Sequence, residues 1–191
     1  MRQRNKHFLA DINPDWTLFL DRDGVINQKL ENDYVKALNE FEFLPGVLEA
    51  LFDLKDWFST IVIVTNQQGI GKGLMTELNL SWIHQYLMEE VENAHGKIDA
   101  IYYCPHLESD DCSCRKPGPG MAFQAKNDFK TIEFEKSIII GDSQSDMEFG
   151  RTLGMKMVFC GKNKILNCDV DLAVLDLPQF SRLLTSYKAD K

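Results

Sequence analysis

At 191 residues, the chain has the size of one compact domain and can bury a core without disulfide staples. Hydrophobic residues make up 44% and charged residues 26%, which excludes extensive disorder and fibrous architectures. Lysine and arginine number 21 against 29 acidic residues, a net charge of −8, so the basic footprint of a nucleic-acid binder is absent and an anionic ligand must be met by locally placed cations.

In chain order, the opening MRQRNKHFLADINPDW is basic, but Asp11, Asn13 and Asp15 interrupt it, so it lacks the apolar stretch of a signal peptide. Residues 1–15 read as a loose arm on a single domain spanning 1–191. Thr17–Leu20 is a short apolar run ending at the turn Asp21-Arg22-Asp23-Gly24. Pro45 opens a helix carrying Val47, Leu51, Leu54 and Phe58 on one face. Ile61–Val64 is a second apolar run, ending at TNQQG. Thr76 caps a helix with Ile83, Leu87 and Val91 on one face, and Trp82 and the methionines are expected in the core. Ile98–Tyr103 precedes CPH, a helix carries Ala122, Ala125 and Phe129, and Ser137–Ile140 precedes Gly141-Asp142. A helix with Met147 and Leu153, a run Met157–Cys160, and a helix with Leu177, Phe180, Leu184 and Tyr187 complete the chain.

Short β-branched runs alternating with helical periods predict an α/β fold, a three-layer Rossmann-like parallel sheet with helices on both faces. Ligands of such sheets lie beyond the carboxyl ends of the strands. Asp21, Asp23, Thr65 and Asp142 all follow apolar runs directly, which gathers them at that edge. Thr65 and Asn66 offer a hydroxyl and backbone N–H groups to a phosphate, and Gly69, Gly71 and Gly73 let the next loop approach a ligand. Lys116, beside Arg115, supplies the cation that a transferring phosphoryl group requires. Asp142 adds a carboxylate for Mg²⁺, an oxygen-seeking ion.

Asp21-Arg22-Asp23-Gly24, Thr65, Lys116 and Gly141-Asp142 resemble, in order, the four motifs of the haloacid-dehalogenase-superfamily phosphatases, over about Leu18 to Gly161. DRDGVIN, Asp33-Tyr34-Val35, FEFLPGV, VTNQQGIGKG, IYYCPH and CRKPGPGM narrow the resemblance to the heptose 1,7-bisphosphate phosphatases and the neighbouring histidinol-phosphatase branch. The resemblance implies a nucleophile at Asp21, a general acid/base at Asp23, and Mg²⁺ held by Asp21, Asp142 and the Asp23 backbone carbonyl. It further implies that Thr65 and Lys116 grip the phosphoryl group, and that Glu31, Asn32, Asp33, Tyr34, Asn66, Gln67, Gln68 and Arg115 contact a phosphorylated sugar. Histidinol phosphate is the alternative substrate, and a catalytically inactive phosphometabolite-binding protein is an alternative of another class. The chain departs from the pattern at Gln68, at Asp33 and at Ser143, where the heptose enzymes often carry lysine. Asp23 to Pro45 is too short an interval for a folded cap, so the fold is expected to be capless, with the site open to water.

Cys104, His106, Cys112 and Cys114 supply three thiolates and an imidazole, a complete tetrahedral Zn²⁺ shell. With no open position, such a zinc is structural, and the loop 104–114 leads straight into Arg115 and Lys116. Cysteines grouped in this way fit a reducing compartment, and no apolar run reaches the ~18–20 residues of a membrane span. A cytoplasmic monomer acting on a small molecule is expected. His7, His84 and His95 have no ligand-like company and receive no function.

Overall fold

The computed structural model describes residues 6–162 and 167–189. Six strands form one parallel sheet: β1 (Thr17–Leu20), β2 (Thr60–Asn66), β3 (Ala100–Cys104), β4 (Ser137–Gly141), β5 (Lys156–Cys160) and β6 (Leu172–Val174), in the order β3-β2-β1-β4-β5-β6. Among the described residues, five α-helices accompany them: α1 (Val47–Leu54), α2 (Glu77–Asn93), α3 (Gly120–Asp128), α4 (Gln144–Leu153) and α5 (Leu177–Ala189). Among the described residues, no helix is long and apolar enough to cross a membrane.

The strands are buried on both sides, which is why they read as unbroken apolar runs rather than alternating ones. Successive side chains leave a strand on opposite faces, and the two cores divide accordingly. Leu18, Leu20, Ile61, Ile63, Ile138 and Ile140 pack with residues of α1, α2 and α5. Phe19, Val62, Val64 and Ile139 pack with Met121, Ala122 and Ala125 of α3 and Phe149 of α4. Three layers result, as expected.

Strand order reverses about β1, whose neighbours β2 and β4 pair with it in parallel register. Chain connections leave in opposite directions there, opening a crevice at the carboxyl ends of β1 and β4. Residues 21–46 and 67–119 hold no inserted domain. The first of these segments instead folds on itself, with the Gln28 N–H donating to the Glu42 carbonyl (2.8 Å) and the Leu44 N–H to that of Ile26 (2.9 Å).

Several expectations need correction. Residues 6–15 are no loose arm: Phe8, Leu9, Ile12 and Trp16 are buried in the core beside α1 and α5. An arm carrying that much apolar surface gains more from docking than from solvent exposure. Residues 1–5 and the side chains of His7 and Tyr187 lie outside the described residues. Trp82 is 54% exposed because Leu80, Ile83, Leu87 and Val91 already fill the inward stripe of α2. Pro45 precedes the first helix, which begins at Val47 after Gly46 in a left-handed conformation (φ 77°). Phe58 is buried but lies beyond that helix. Strand β6, only three residues long, gave no recognisable run in the sequence.

Candidate active site

Asp21 is the first residue after β1, and its backbone N–H donates to the Ile140 carbonyl (2.9 Å), so the sheet's hydrogen bonding extends to the site. Gly24 has φ 90°, and a Cβ there would collide with the Asp142 carboxylate. Only glycine lets the turn after β1 pass so close to the turn after β4.

Lys116 is 3% exposed and makes three contacts from its ammonium: the Asp21 carboxylate at 2.9 Å, the Asp146 carboxylate at 2.5 Å and the Val64 carbonyl at 2.7 Å. Burial opposes its charge, but Asp146 and Asp21 outweigh burial and raise its pKa. Asp21 is pushed up to about 7, first by burial and then by Asp146, with Lys116 pulling the other way and Asp142 and Asp23 adding to the rise. The four carboxylates Asp21, Asp23, Asp142 and Asp146 outnumber the three cations that touch them, Lys116, Lys29 and Arg22.

Asp146 was not singled out from the sequence, yet it is wholly buried and joins Asp21 and Asp142 in a group of carboxylates whose oxygens lie within 4.8 Å of one another. The signal was Ser143-x2-Asp146, the spacing of a helix N-cap and the N3 residue that caps it in return. Its second oxygen accepts from the Ser143 N–H (3.0 Å) and hydroxyl (2.5 Å), completing the N-terminal cap of α4. Ser143 therefore orients Asp146. Lys29, also unremarked in the sequence, places its ammonium on both oxygens of Asp142 (3.0 and 2.7 Å). Burial raises the Asp142 pKa against the pull of Lys29.

Asp23 is gripped by Arg22, whose guanidinium donates to both carboxylate oxygens at 2.9 Å, and by the side-chain amides of Asn27 (3.0 Å) and Gln67 (2.9 Å). Burial works to raise the Asp23 pKa, but Arg22 and these donors prevail and hold it below the ordinary carboxylate value. Asp21, Asp23, Thr65, Asn66 and Lys116 line one cavity of about 200 Å³, with Lys29, Asp33 and Tyr34 at its other wall.

The predicted contact residues divide. Asn66 lines the cavity and also clamps Lys116, its amide accepting from the Lys116 N–H (2.9 Å) and donating to the Lys116 carbonyl (3.1 Å). Arg115 lines an adjoining cavity that shares Asn66, Lys116 and Ser145 with the first. Gln67 turns inward instead, donating to Asp23 and to the Thr65 hydroxyl (2.9 Å). Glu31, Asn32 and Gln68 are absent from both cavity walls. Nor do the glycines after Thr65 all face a ligand: Gly71 packs on the backbone of Pro105 and Leu107, and its N–H donates to the Pro105 carbonyl (2.9 Å).

Cys104, His106, Cys112 and Cys114 converge, with Sγ–Sγ distances of 3.0–3.5 Å and the His106 Nδ1 3.1 Å from Cys114 and 3.6 Å from Cys104. A tetrahedral zinc site has sulfur–sulfur edges of about 3.8 Å, so the cluster is close to that size and its donors suit the metal. Burial works against the Cys112 thiolate, but a hydrogen bond from the Arg115 backbone helps lower its pKa to about 7. That bond ties the cluster to the chain bearing both cations.

Hard oxygen donors at the crevice, an excess of buried negative charge and a lysine within reach of the same carboxylate suit a divalent cation and a phosphate ester together. Fold and site define an α/β phosphohydrolase with an aspartate at the end of its central strand. Known proteins agree. Residues 113–173 match a family model described as HAD-hydrolase-like. A Mycobacterium tuberculosis protein named D-glycero-alpha-D-manno-heptose-1,7-bisphosphate 7-phosphatase is 41% identical over 150 residues, 78% of this chain and 79% of its own length. A Helicobacter pylori D-glycero-beta-D-manno-heptose-1,7-bisphosphate 7-phosphatase is 38% identical over 146 residues, 76% of this chain and 83% of its own. The crystal structure of a D,D-heptose 1,7-bisphosphate phosphatase from B. bronchiseptica, complexed with magnesium and phosphate, aligns over 90% of this chain and 99% of its own with a TM-score of 0.79 and 29% identity. The chain belongs to the haloacid-dehalogenase superfamily of phosphatases, in the subgroup that holds these relatives.

Proposed function

We propose that the chain removes the 7-phosphate of D-glycero-D-manno-heptose 1,7-bisphosphate through an aspartyl-phosphate on Asp21. The observation that carries the chemistry is the single cavity onto which Asp21, Asp23, Thr65 and Lys116 open. The names of the relatives support the sugar.

Asp21 attacks phosphorus in line, its oxygen forming the new P–O bond as the bond to the sugar oxygen breaks. Lys116 lies on the attacking carboxylate and offsets charge shared between it and the incoming dianion. Magnesium held by Asp21, Asp142 and the Asp23 backbone carbonyl, with Asp146 nearby, would supply further charge neutralisation. Asp23 is a carboxylate before substrate arrives, and the phosphate's negative charge entering beside it raises its proton affinity. It takes up a proton from solvent and hands it to the departing alkoxide. Afterwards it takes one from water, which attacks phosphorus, breaks the P–O bond to Asp21 and releases inorganic phosphate. The capless crevice leaves this intermediate open to water, which favours hydrolysis over transfer to a second sugar.

Arg115 in the adjoining cavity can bind the second phosphate with paired hydrogen bonds. Phosphate release should therefore show a higher kcat/KM for heptose 1,7-bisphosphate than for histidinol phosphate, whose amine and imidazole gain nothing from a second cation. Arg115→Ala should erode that preference while slowing a small aryl phosphate less, because the lost binding energy is remote from the reacting bond. Equal or better turnover of histidinol phosphate would replace the sugar and leave the phosphatase assignment standing.

The cysteine–histidine cluster is proposed to hold one structural Zn²⁺. Elemental analysis of purified protein should find about one zinc per chain, and Cys112→Ser should lower melting temperature and phosphate affinity together, since the cluster mounts Arg115 and Lys116. A folded, fully active protein without zinc would remove this metal from the account.

A further inference from the structure

We propose that His84 is a positioning residue for proton transfer, acting through Arg22 on the carboxylate of Asp23. The inference rests on the role assigned to Asp23 above and adds a side chain 62 positions beyond Arg22 that touches neither cavity of the site.

Arg22 is a fully buried cation, 0% exposed, and it does not line the substrate cavity. Its guanidinium grips Asp23 from behind through one nitrogen, while the other terminal nitrogen lies 3.3 Å from Nε2 of His84. Arginine has only donors, so His84 must accept at Nε2 and carry its own proton on Nδ1. Burial, then the charge of Arg22, pushes the imidazole down to about 3, so it stays a neutral acceptor. The ring stands edge-on to Tyr103 at 5.8 Å, which fixes its plane. Helix α2 is anchored in turn by the reciprocal cap between Thr76 and Asn79.

A carboxylic acid that must protonate a leaving oxygen has to present one oxygen at a fixed angle. Asp23 has no freedom left: Arg22 holds both oxygens, and Asn27 and Gln67 take one each. Remove the acceptor at position 84, and a buried guanidinium N–H loses its partner. The planar group then turns to recover one, carrying Asp23 with it. Arg22 meets the nucleophile through its backbone N–H, which donates to the Asp21 carboxylate (2.8 Å) and does not move when the guanidinium turns, and Lys116 touches neither Arg22 nor His84, so the step that suffers is the proton transfer.

Leaving-group dependence tests this. His84→Leu, His84→Gln and Asp23→Asn are compared on 4-nitrophenyl phosphate, whose phenolate leaves without help, and on a primary alkyl phosphate, whose alkoxide needs a proton. His84→Leu should lower kcat on the alkyl ester about 10-fold or more and leave the nitrophenyl ester within about twofold, a fraction of the ~10²–10⁴-fold available to acid–base catalysis. His84→Gln, which keeps an acceptor at the same place, should recover most of the loss. Equal losses on both esters in His84→Leu, or no loss on either, overturn the inference. Asp23→Asn separates the two levels. If it discriminates between the esters while His84→Leu does not, the role of Asp23 stands and that of His84 falls. If Asp23→Asn discriminates no better, both fall.

Discussion

Asp21→Asn should reduce phosphate release by on the order of 10⁴–10⁶-fold while the protein stays folded, as expected when a covalent nucleophile is lost. The amide is nearly the same size, so the packing at the end of β1 persists, and Asp146 remains as a partner for Lys116. What disappears is a charged oxygen able to attack phosphorus. Rapid-quench experiments with labelled substrate should show phosphate on the wild-type protein and none on the variant. Undiminished turnover by Asp21→Asn, with its fold verified by circular dichroism, would sink the covalent mechanism.

Lys116→Met should be damaging in two ways, and the second can be measured without substrate. Asp21 and Asp146 are 8% and 0% exposed, and the ammonium between them is what makes their burial tolerable. Breaking a buried ion pair by removing one partner costs about 3–5 kcal/mol, because the remaining charge is left unpaired away from water. The loss should depend on pH in a definite direction. Burial and the neighbouring carboxylates push Asp21 up to about 7 in the fold from its ordinary 3.8, so between these values the native state binds a proton that the unfolded chain has lost. Its contribution to stability is complete below the unfolded value and fades as pH rises through the folded one. Without Lys116, one influence lowering that pKa is gone, and the fading continues to higher pH. Denaturant titrations of metal-free protein should therefore find the gap between wild type and Lys116→Met wider at pH 8 than at pH 5. A gap that narrowed with rising pH would mean that Lys116 does not neutralise these carboxylates.

How much of this could be read from the sequence depends on the distance over which each feature is specified. The strands were legible because burial on both faces turns them into unbroken runs such as IVIV and SIII, and the chemistry sits where those runs stop. The cysteine–histidine cluster was legible because its members are close in the chain. Asp146 was hidden: its importance appears only once α4 is known to start at Gln144 and to bring position 146 back over Gly141, where a Cβ would strike it. Gln67 was expected at the ligand because the family resemblance places it among the substrate-contacting positions. Only the local twist of the backbone turns its amide onto Asp23. His84 had no company along the chain, and its partner Arg22 reaches it across the interface of sheet and helix. Trp82 misled through its type, since a large apolar residue on a helix is usually covered.

The paired hydrogen bonds between the Asn66 amide and the backbone of Lys116 act as one more rung of the sheet, made by a side chain. They fix the cation's origin to strand β2 as well as to the cysteine–histidine cluster that mounts the chain leading up to it. The stretch between His106 and Cys112, whose tip at residues 108–111 is exposed, is thereby released from the task of setting catalytic geometry. Insertions or deletions in that tip can reshape the rim facing the substrate while leaving the lysine where it is. The fold in this way separates the part of the site that evolution or an engineer can lengthen, shorten or rewrite from the part that must hold still.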